Sequence, residues 1–298
     1  SLRFNLGQKI FLLMLGCIRL HPREDVYELI LMRILLTADA ELPVPPIRYG
    51  GIERVIASLV EYYRFRGLEV GLIANRDSTV ECDFFLPWPC RTSTRSVDSL
   101  QNALALSHGV TKFDPDVLLS FSRLAWLFPL RFRSPSLIMS YQREPSKFTT
   151  RFSRICFGDR LRFTACSDRL AEKGKRQSGG EWIGIPNFVD PGKFSPCYNL
   201  SSDAPLVFLS RIEPIKGCHN AIAIARAAGR RLLIAGNRVE KGSSSGYWEA
   251  EIEPYLGRDG IEYIGTVDDH QKNELLGSAA ALVLPIEWDE PFGIVFVE

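Results

Sequence analysis

Arg33-Ile-Leu-Leu-Thr-Ala38, Ile52-Glu-Arg-Val-Ile-Ala-Ser-Leu-Val-Glu-Tyr-Tyr63 and Leu68-Glu-Val-Gly-Leu-Ile-Ala74 are successive runs whose periods decide the fold. The first and third are short and largely apolar, the form of buried strands. In the second, Ile52, Val55, Ile56, Leu59, Val60 and Tyr63 recur at i, i+3, i+4, i+7, which gives a helix one apolar face. Gly67 sits where a helix stop is expected. Strand, helix and strand make a βαβ unit, and such units predict a parallel sheet with right-handed crossovers.

Three further apolar runs extend the pattern as candidate strands: Asp116–Ser120, Ser136–Ser140 and Phe163–Cys166. The first domain, residues 32–189, closes around Trp182-Ile-Gly-Ile-Pro-Asn187. Residues 190–204, with Pro191, Gly192, Pro196 and Ser201-Ser-Asp203, have linker composition. A new series then starts. It predicts strands at Leu206–Leu209, Leu232–Ala235, Ile261–Ile264 and Ala280–Leu284, with helices over about 217–228, 248–256 and 271–276 between them. The fold class is α/β, two Rossmann-like doubly wound domains, with ligands expected at the C-terminal ends of the strands. At residues 205–298 the second domain is small for this architecture, so it is expected to be incomplete. Residues 1–31 read as an upstream extension outside the fold, with Met32 opening the working protein. The apolar stretch Ile10–Ile18 within them is too short to span a bilayer.

Composition excludes several classes. The 36 basic and 35 acidic residues leave a net charge of +1, which gives no electrostatic reason to expect nucleic acid as the main partner. Seven cysteines are scattered without a Cys-x-x-Cys pair and read as reduced thiols, mostly in the core, in a cytoplasmic protein. Four histidines form no metal-ligand spacing, so no metal is expected.

Two stretches carry chemistry. In Ser210-Arg-Ile-Glu-Pro-Ile-Lys-Gly217, at the end of the second series' first strand, Arg211 and Lys216 could both reach a diphosphate. A forked guanidinium and a mobile ammonium each neutralise charge growing on a leaving group. Solvated loop cations are the plain alternative. In Trp288-Asp-Glu-Pro-Phe-Gly-Ile-Val-Phe-Val-Glu298, Glu290 and Glu298 flank Pro291 and Gly293 at an expected helix start, where backbone N–H groups suit a phosphate or sugar hydroxyls. That glutamate spacing has no value alone, because Glu53/Glu61 and Glu61/Glu69 repeat it on the amphipathic helix.

Context gives it value. Gly50-Gly51, Pro186-Asn-Phe-Val-Asp190, Ser210–Gly217, Ala235-Gly236 and Glu290–Glu298 follow one another as they do in glycosyltransferase family 4, and the chain resembles that family over residues 32–298. It is most similar to bacterial members that build cell-surface polysaccharides or other glycoconjugates, a retaining, metal-independent group with the GT-B fold. The resemblance implies that Arg211 and Lys216 bind the donor diphosphate and assist its departure. Glu290 then faces the transferred sugar, and Glu298 holds the ribose hydroxyls. Gly293 and Ile294 offer backbone amides to the donor, and Gly50 and Gly51 let the first domain's loop approach the phosphates. The partners implied are a nucleotide-sugar donor and a sugar, lipid-linked or small-molecule acceptor, with a peripheral contact at the inner face of the membrane. No cofactor is implied, since the nucleotide-sugar is a substrate.

The sequence departs from the family twice. Many members carry a histidine at the sugar pocket, where Ser140-Tyr-Gln-Arg-Glu-Pro145 stands here, leaving Arg143 or Glu144 as substitutes. Phe188 replaces a commoner glycine. Two readings compete. A dinucleotide oxidoreductase would need a Gly-x-Gly-x-x-Gly after a first strand, and none is present. The full-length protein is expected to be a hexosyl- or glycosyltransferase and residues 1–298 by themselves a fragment without turnover, with a nucleotide-sugar-binding pseudoenzyme as the alternative.

Overall fold

The computed structural model describes residues 32–48, 50–92, 95–133, 135–239 and 244–298. The expectations for residues 1–31 lie outside them. The chain divides into two compact units, one ending at Val189 and the other beginning at Asp190, with residues 47–49 grouped with the second.

The first unit runs β1 (Arg33–Thr37), α1 (Gly51–Phe65), β2 (Glu69–Ala74), β3 (Phe84–Pro87), α2 (Ser96–Phe113), β4 (Val117–Ser120), β5 (Ser136–Tyr141), α3 (Lys147–Phe157), β6 (Leu161–Ala165), α4 (Asp168–Ser178) and β7 (Trp182–Gly184). Its seven strands are parallel in the order β3-β2-β1-β4-β5-β6-β7. Ile34, Leu35 and Leu36 are fully buried, as expected of a central strand covered on both faces. On α1, Val55, Ile56, Leu59, Val60 and Tyr63 form the buried face, while Ile52 is half-buried. Strand order reverses between β1 and β4, the place where an open α/β sheet leaves a crevice. There the buried hydroxyls of Thr37, Ser120 and Ser122 bond to one another at 2.9–3.0 Å.

The second unit runs β8 (Leu206–Leu209), α5 (Cys218–Ala227), β9 (Leu232–Ala235), α6 (Tyr247–Glu251), β10 (Ile261–Gly265), α7 (Asp269–Ser278) and β11 (Ala281–Leu282). Its sheet is parallel, in the order β10-β9-β8-β11. The helix expected over 248–256 stops at Glu251 and resumes as a 310 turn over Glu253–Tyr255, because Pro254 lacks an N–H and disfavours helical backbone before it. Helix α7 begins two residues before the expected Gln271. Asp268 caps it, accepting from the Gln271 N–H while the Gln271 side chain accepts from the Asp268 N–H. Strand β11 is shorter than the apolar run Ala280–Leu284, although Ala280 and Val283 still donate to Pro205 and Val207 at 2.8 Å.

Six cysteines among the described residues stand outside any disulfide. Only Cys166 and Cys218 are buried, so the expectation that most fill the core is corrected. Among the described residues no helix is long and apolar enough to cross a membrane.

Candidate functional site

Beyond Leu209 the chain continues beside β9 before turning away. Ile212 is buried, donates to the Asn237 carbonyl at 2.9 Å and bridges Arg238. With Ile212 pinned inward, Arg211 and Glu213 flank it and meet at 2.7 Å between Arg211 Nη2 and Glu213 Oε1. A 310 turn over Pro214–Lys216 follows and ends on Gly217, which is left-handed at φ 72°.

That turn directs Lys216 across to the loop after β11. Lys216 Nζ lies 2.5 Å from Glu290 Oε2, with the two side chains 10% and 22% exposed. Trp288 Nε1 donates to the same oxygen at 2.8 Å, and its ring centroid lies 5.0 Å from Nζ. Glu290 Oε2 is thus held by two donors. The loops are also joined through backbone, the Glu287 N–H donating to the Ile215 carbonyl at 2.9 Å. Asn220 Nδ2 donates to Glu287 Oε1 at 2.5 Å. An ion pair this sheltered strengthens electrostatically, and it is costly to leave either member alone.

Glu298 forms a second pair. Its side chain is 8% exposed and joined to Lys272 Nζ, which also lies 3.4 Å from Asp269 Oδ1 and 5.4 Å from the Phe194 ring centroid. The structure therefore brings Lys216 and Glu290 together, pairs Arg211 with Glu213, and gives Glu298 a separate cation. Gly293 is left-handed at φ 76°, and Ile294 opens a 310 turn over Ile294–Phe296.

Gly50 and Gly51 belong to the first unit, immediately before α1 and at its first position. A Cβ on Gly50 would lie 2.6 Å from Pro46 Cβ and 2.8 Å from Glu53 Oε2, and φ there is 144°. The position thus requires glycine for the packing of its own loop. In Ser140–Pro145, Arg143 and Glu144 are exposed and Glu144 pairs with Lys173, whereas Gln142 turns into the unit. Gln142 accepts from Asn187 Nδ2 at 2.8 Å and donates to Ser140 Oγ at 3.1 Å.

Sequence reading assigned no role to Lys272, Gln142 or Glu53. Glu53 is 7% exposed, and burial is the main cause that lifts its carboxyl from 4.5 to about 7. Its own backbone N–H and Arg54 oppose the shift, while Asp39 and Glu41 add to it. The folded state holds this proton more tightly than the unfolded chain, so the group's contribution is fully present below about pH 4.5 and lost as pH rises through about 7. Glu53→Gln fixes the neutral form. Its stability is expected to match wild type at about pH 4 and exceed it by up to about 3 kcal/mol at about pH 8.5. Denaturation at both pH values checks this, and an equal gap at both would remove the burial argument.

No curated protein sequence matches the chain significantly. Solved structures do. AviGT4, a glycosyltransferase involved in Avilamycin A biosynthesis, is 23% identical with a TM-score of 0.61, over 88% of this chain and 74% of that one. A glycosyltransferase from Rickettsia africae ESF-5 is 17% identical with a TM-score of 0.68, over 88% and 75%. The E. coli structure described as "Trehalose-6-phosphate" bound with UDP-2-fluoro glucose is 10% identical with a TM-score of 0.60, over 89% and 80%. These likenesses establish the fold as the α/β type of GT-B glycosyltransferases. Over residues 199–298, which hold Arg211, Lys216, Glu290 and Glu298, the chain matches the family described as "Glycosyl transferases group 1".

Proposed function

We propose that this protein transfers a sugar from a nucleotide-sugar donor to a hydroxyl acceptor with retention at the anomeric carbon, in the synthesis of a polysaccharide or glycoconjugate. The observation that carries the reading is the Lys216–Glu290 pair past the end of β8, close in sequence to Arg211 and inside the stretch that matches group 1 transferases. The UDP-2-fluoro glucose of one fold neighbour supports a nucleotide-sugar as donor.

The acceptor hydroxyl attacks the anomeric carbon from the face that the diphosphate leaves. A carbon–oxygen bond forms as the bond to phosphate breaks, and the hydroxyl proton passes to the departing phosphate oxygen. Arg211 and Lys216 neutralise the growing negative charge, so the reading assigns that task to side chains and not to a metal. Glu290 faces the sugar, and the amides of Gly293 and Ile294 meet the donor. Glu298, oriented by Lys272, accepts from the ribose hydroxyls. The acceptor is a sugar, a lipid-linked sugar or another small hydroxyl compound.

Incubation with UDP-, GDP- and ADP-sugars, followed by NMR of released sugar and product, tests the proposal. Hydrolysis or transfer with one donor, giving a product of unchanged anomeric configuration, is expected. Donor binding without either reaction would favour the pseudoenzyme reading, an inverted product would overturn retention, and binding of a nicotinamide cofactor instead would overturn the assignment.

A further inference from the structure

Residues 283–293 form no helix or strand, yet they carry Glu287, Trp288 and Glu290. Side chains must therefore fix much of this loop's position. Lys216 reaches it from one side of Gly217, pairing with Glu290. From the other side of Gly217, the first turn of α5 reaches it again. Cys218 is fully buried and pins the start of that helix. The next two side chains converge on one atom: Asn220 Nδ2 donates to Glu287 Oε1 at 2.5 Å, and His219 Nε2 lies 3.4 Å from the same oxygen.

The other nitrogen of the imidazole is engaged as well. His219 Nδ1 lies 2.8 Å from the Tyr247 hydroxyl oxygen, which accepts from the His219 backbone N–H at 3.2 Å. Tyr247 opens α6, is buried, and meets the imidazole edge-on with 87° between the rings. Burial pushes its phenol up to about 12, so the hydroxyl keeps its proton and can donate it to Nδ1. With Nδ1 as acceptor, the neutral ring carries its own proton on Nε2, facing Glu287. The Glu287 side chain is 47% exposed, and a contact that open adds little to stability. Its consequence is geometric: it sets where the two residues that follow are held.

We propose that His219 is a positioning residue for sugar transfer: braced by Tyr247, it holds Glu287 and so places Trp288 and Glu290 against Lys216. Its effect on rate rests on the reading of sugar transfer given above, whereas the position of the loop can be read without turnover.

Trp288 supplies that second readout, because its indole N–H donates to Glu290 and its ring is 37% exposed. In a proton–nitrogen correlation spectrum its indole cross-peak, assigned with Trp288→Phe, should move or broaden in His219→Ala. The peaks of Trp88, Trp126 and Trp182, all buried in the first unit, should stay. In the same variant kcat should fall roughly tenfold, with donor KM within about threefold and the melting temperature within about 2 °C of wild type. His219→Gln, whose amide nitrogen extends about as far as Nε2, should restore most of the rate. His219→Asn, which reaches only as far as Nδ1, should not. Glu287→Ala should reproduce the loss, and adding His219→Ala to it should cost nothing more, because the two act in series. An unmoved Trp288 peak, an unchanged kcat, equal rates for the Gln and Asn variants, or additive losses in the double variant would each overturn the proposal. A wild type without turnover on any donor would instead sink sugar transfer and with it the effect on rate, while the Trp288 peak would still decide whether His219 holds the loop.

Discussion

Lys216→Ala is expected to lower kcat for sugar transfer on the order of 10²- to 10³-fold, the loss that follows removal of one preorganised donor to a developing oxyanion. The expectation rests on how Lys216 is held. Its side chain is 10% exposed and its ammonium is paired with Glu290 and placed against the Trp288 ring, so it is already positioned before charge develops. Stability should fall far less, by about 1–3 kcal/mol, since Glu290 Oε2 keeps the Trp288 indole as a donor. Lys216→Arg keeps the charge and should recover part of the rate. Glu290→Gln keeps an acceptor for both Lys216 and Trp288, and so separates the carboxylate's charge from its position. A folded Lys216→Ala protein with kcat within about threefold of wild type would sink the assignment, because the missing donor would then contribute almost nothing to the barrier.

The elements most legible in the sequence are those buried on both sides. β1, β2, β4, β5 and β8 read as apolar runs because a parallel sheet covered by helices leaves no wet face to impose alternation. β3 and α2 escaped for the opposite reason. β3 is an edge strand whose residues alternate between half-buried and exposed, and it ends on Pro87. In α2, Ala103, Leu106 and Val110 face inward while Val97, Leu100 and Leu104 face out and Asn102 is buried, so no single apolar stripe marks the helix. The same inversion governs α3, where a periodic pattern is present but points to the surface.

The site divides along similar lines. Arg211, Lys216 and Glu290 were legible through motif context, but which of them pair, and with what, was not. Lys216 meets Glu290 across 74 residues of sequence, and Lys272 meets Glu298 across 26. Lys272 sits in the first turn of α7, where a lysine ordinarily signals a solvated face. Its burial follows from packing between that helix, Phe194 and the last turn of the chain, which no local pattern records.

Gly217→Ala should be among the most damaging single methyls in the second unit. Gly217 is left-handed at φ 72°, which costs a residue with a Cβ roughly 1–2 kcal/mol. The greater cost is steric: the added carbon would lie 1.9 Å from the Pro285 carbonyl oxygen and 2.8 Å from its carbon. These are backbone atoms at the base of the loop that carries Glu287, Trp288 and Glu290, so relief requires that the loop move. Moving it breaks the Glu287–Ile215 backbone bond and draws Glu290 away from Lys216. A total cost above about 4 kcal/mol is expected, with a fall in melting temperature of about 10 °C or more. Transfer activity should be lost even at temperatures where the variant is folded. Gly229→Ala separates the steric cost from the conformational one. Gly229 is also left-handed, at φ 61°, but nothing lies within 4 Å of its added carbon, so that variant should carry only the conformational cost and keep full activity. If the two variants melt together, the Pro285 carbonyl does not press on Gly217, and the close junction between the Lys216 turn and the Glu290 loop is absent from the protein.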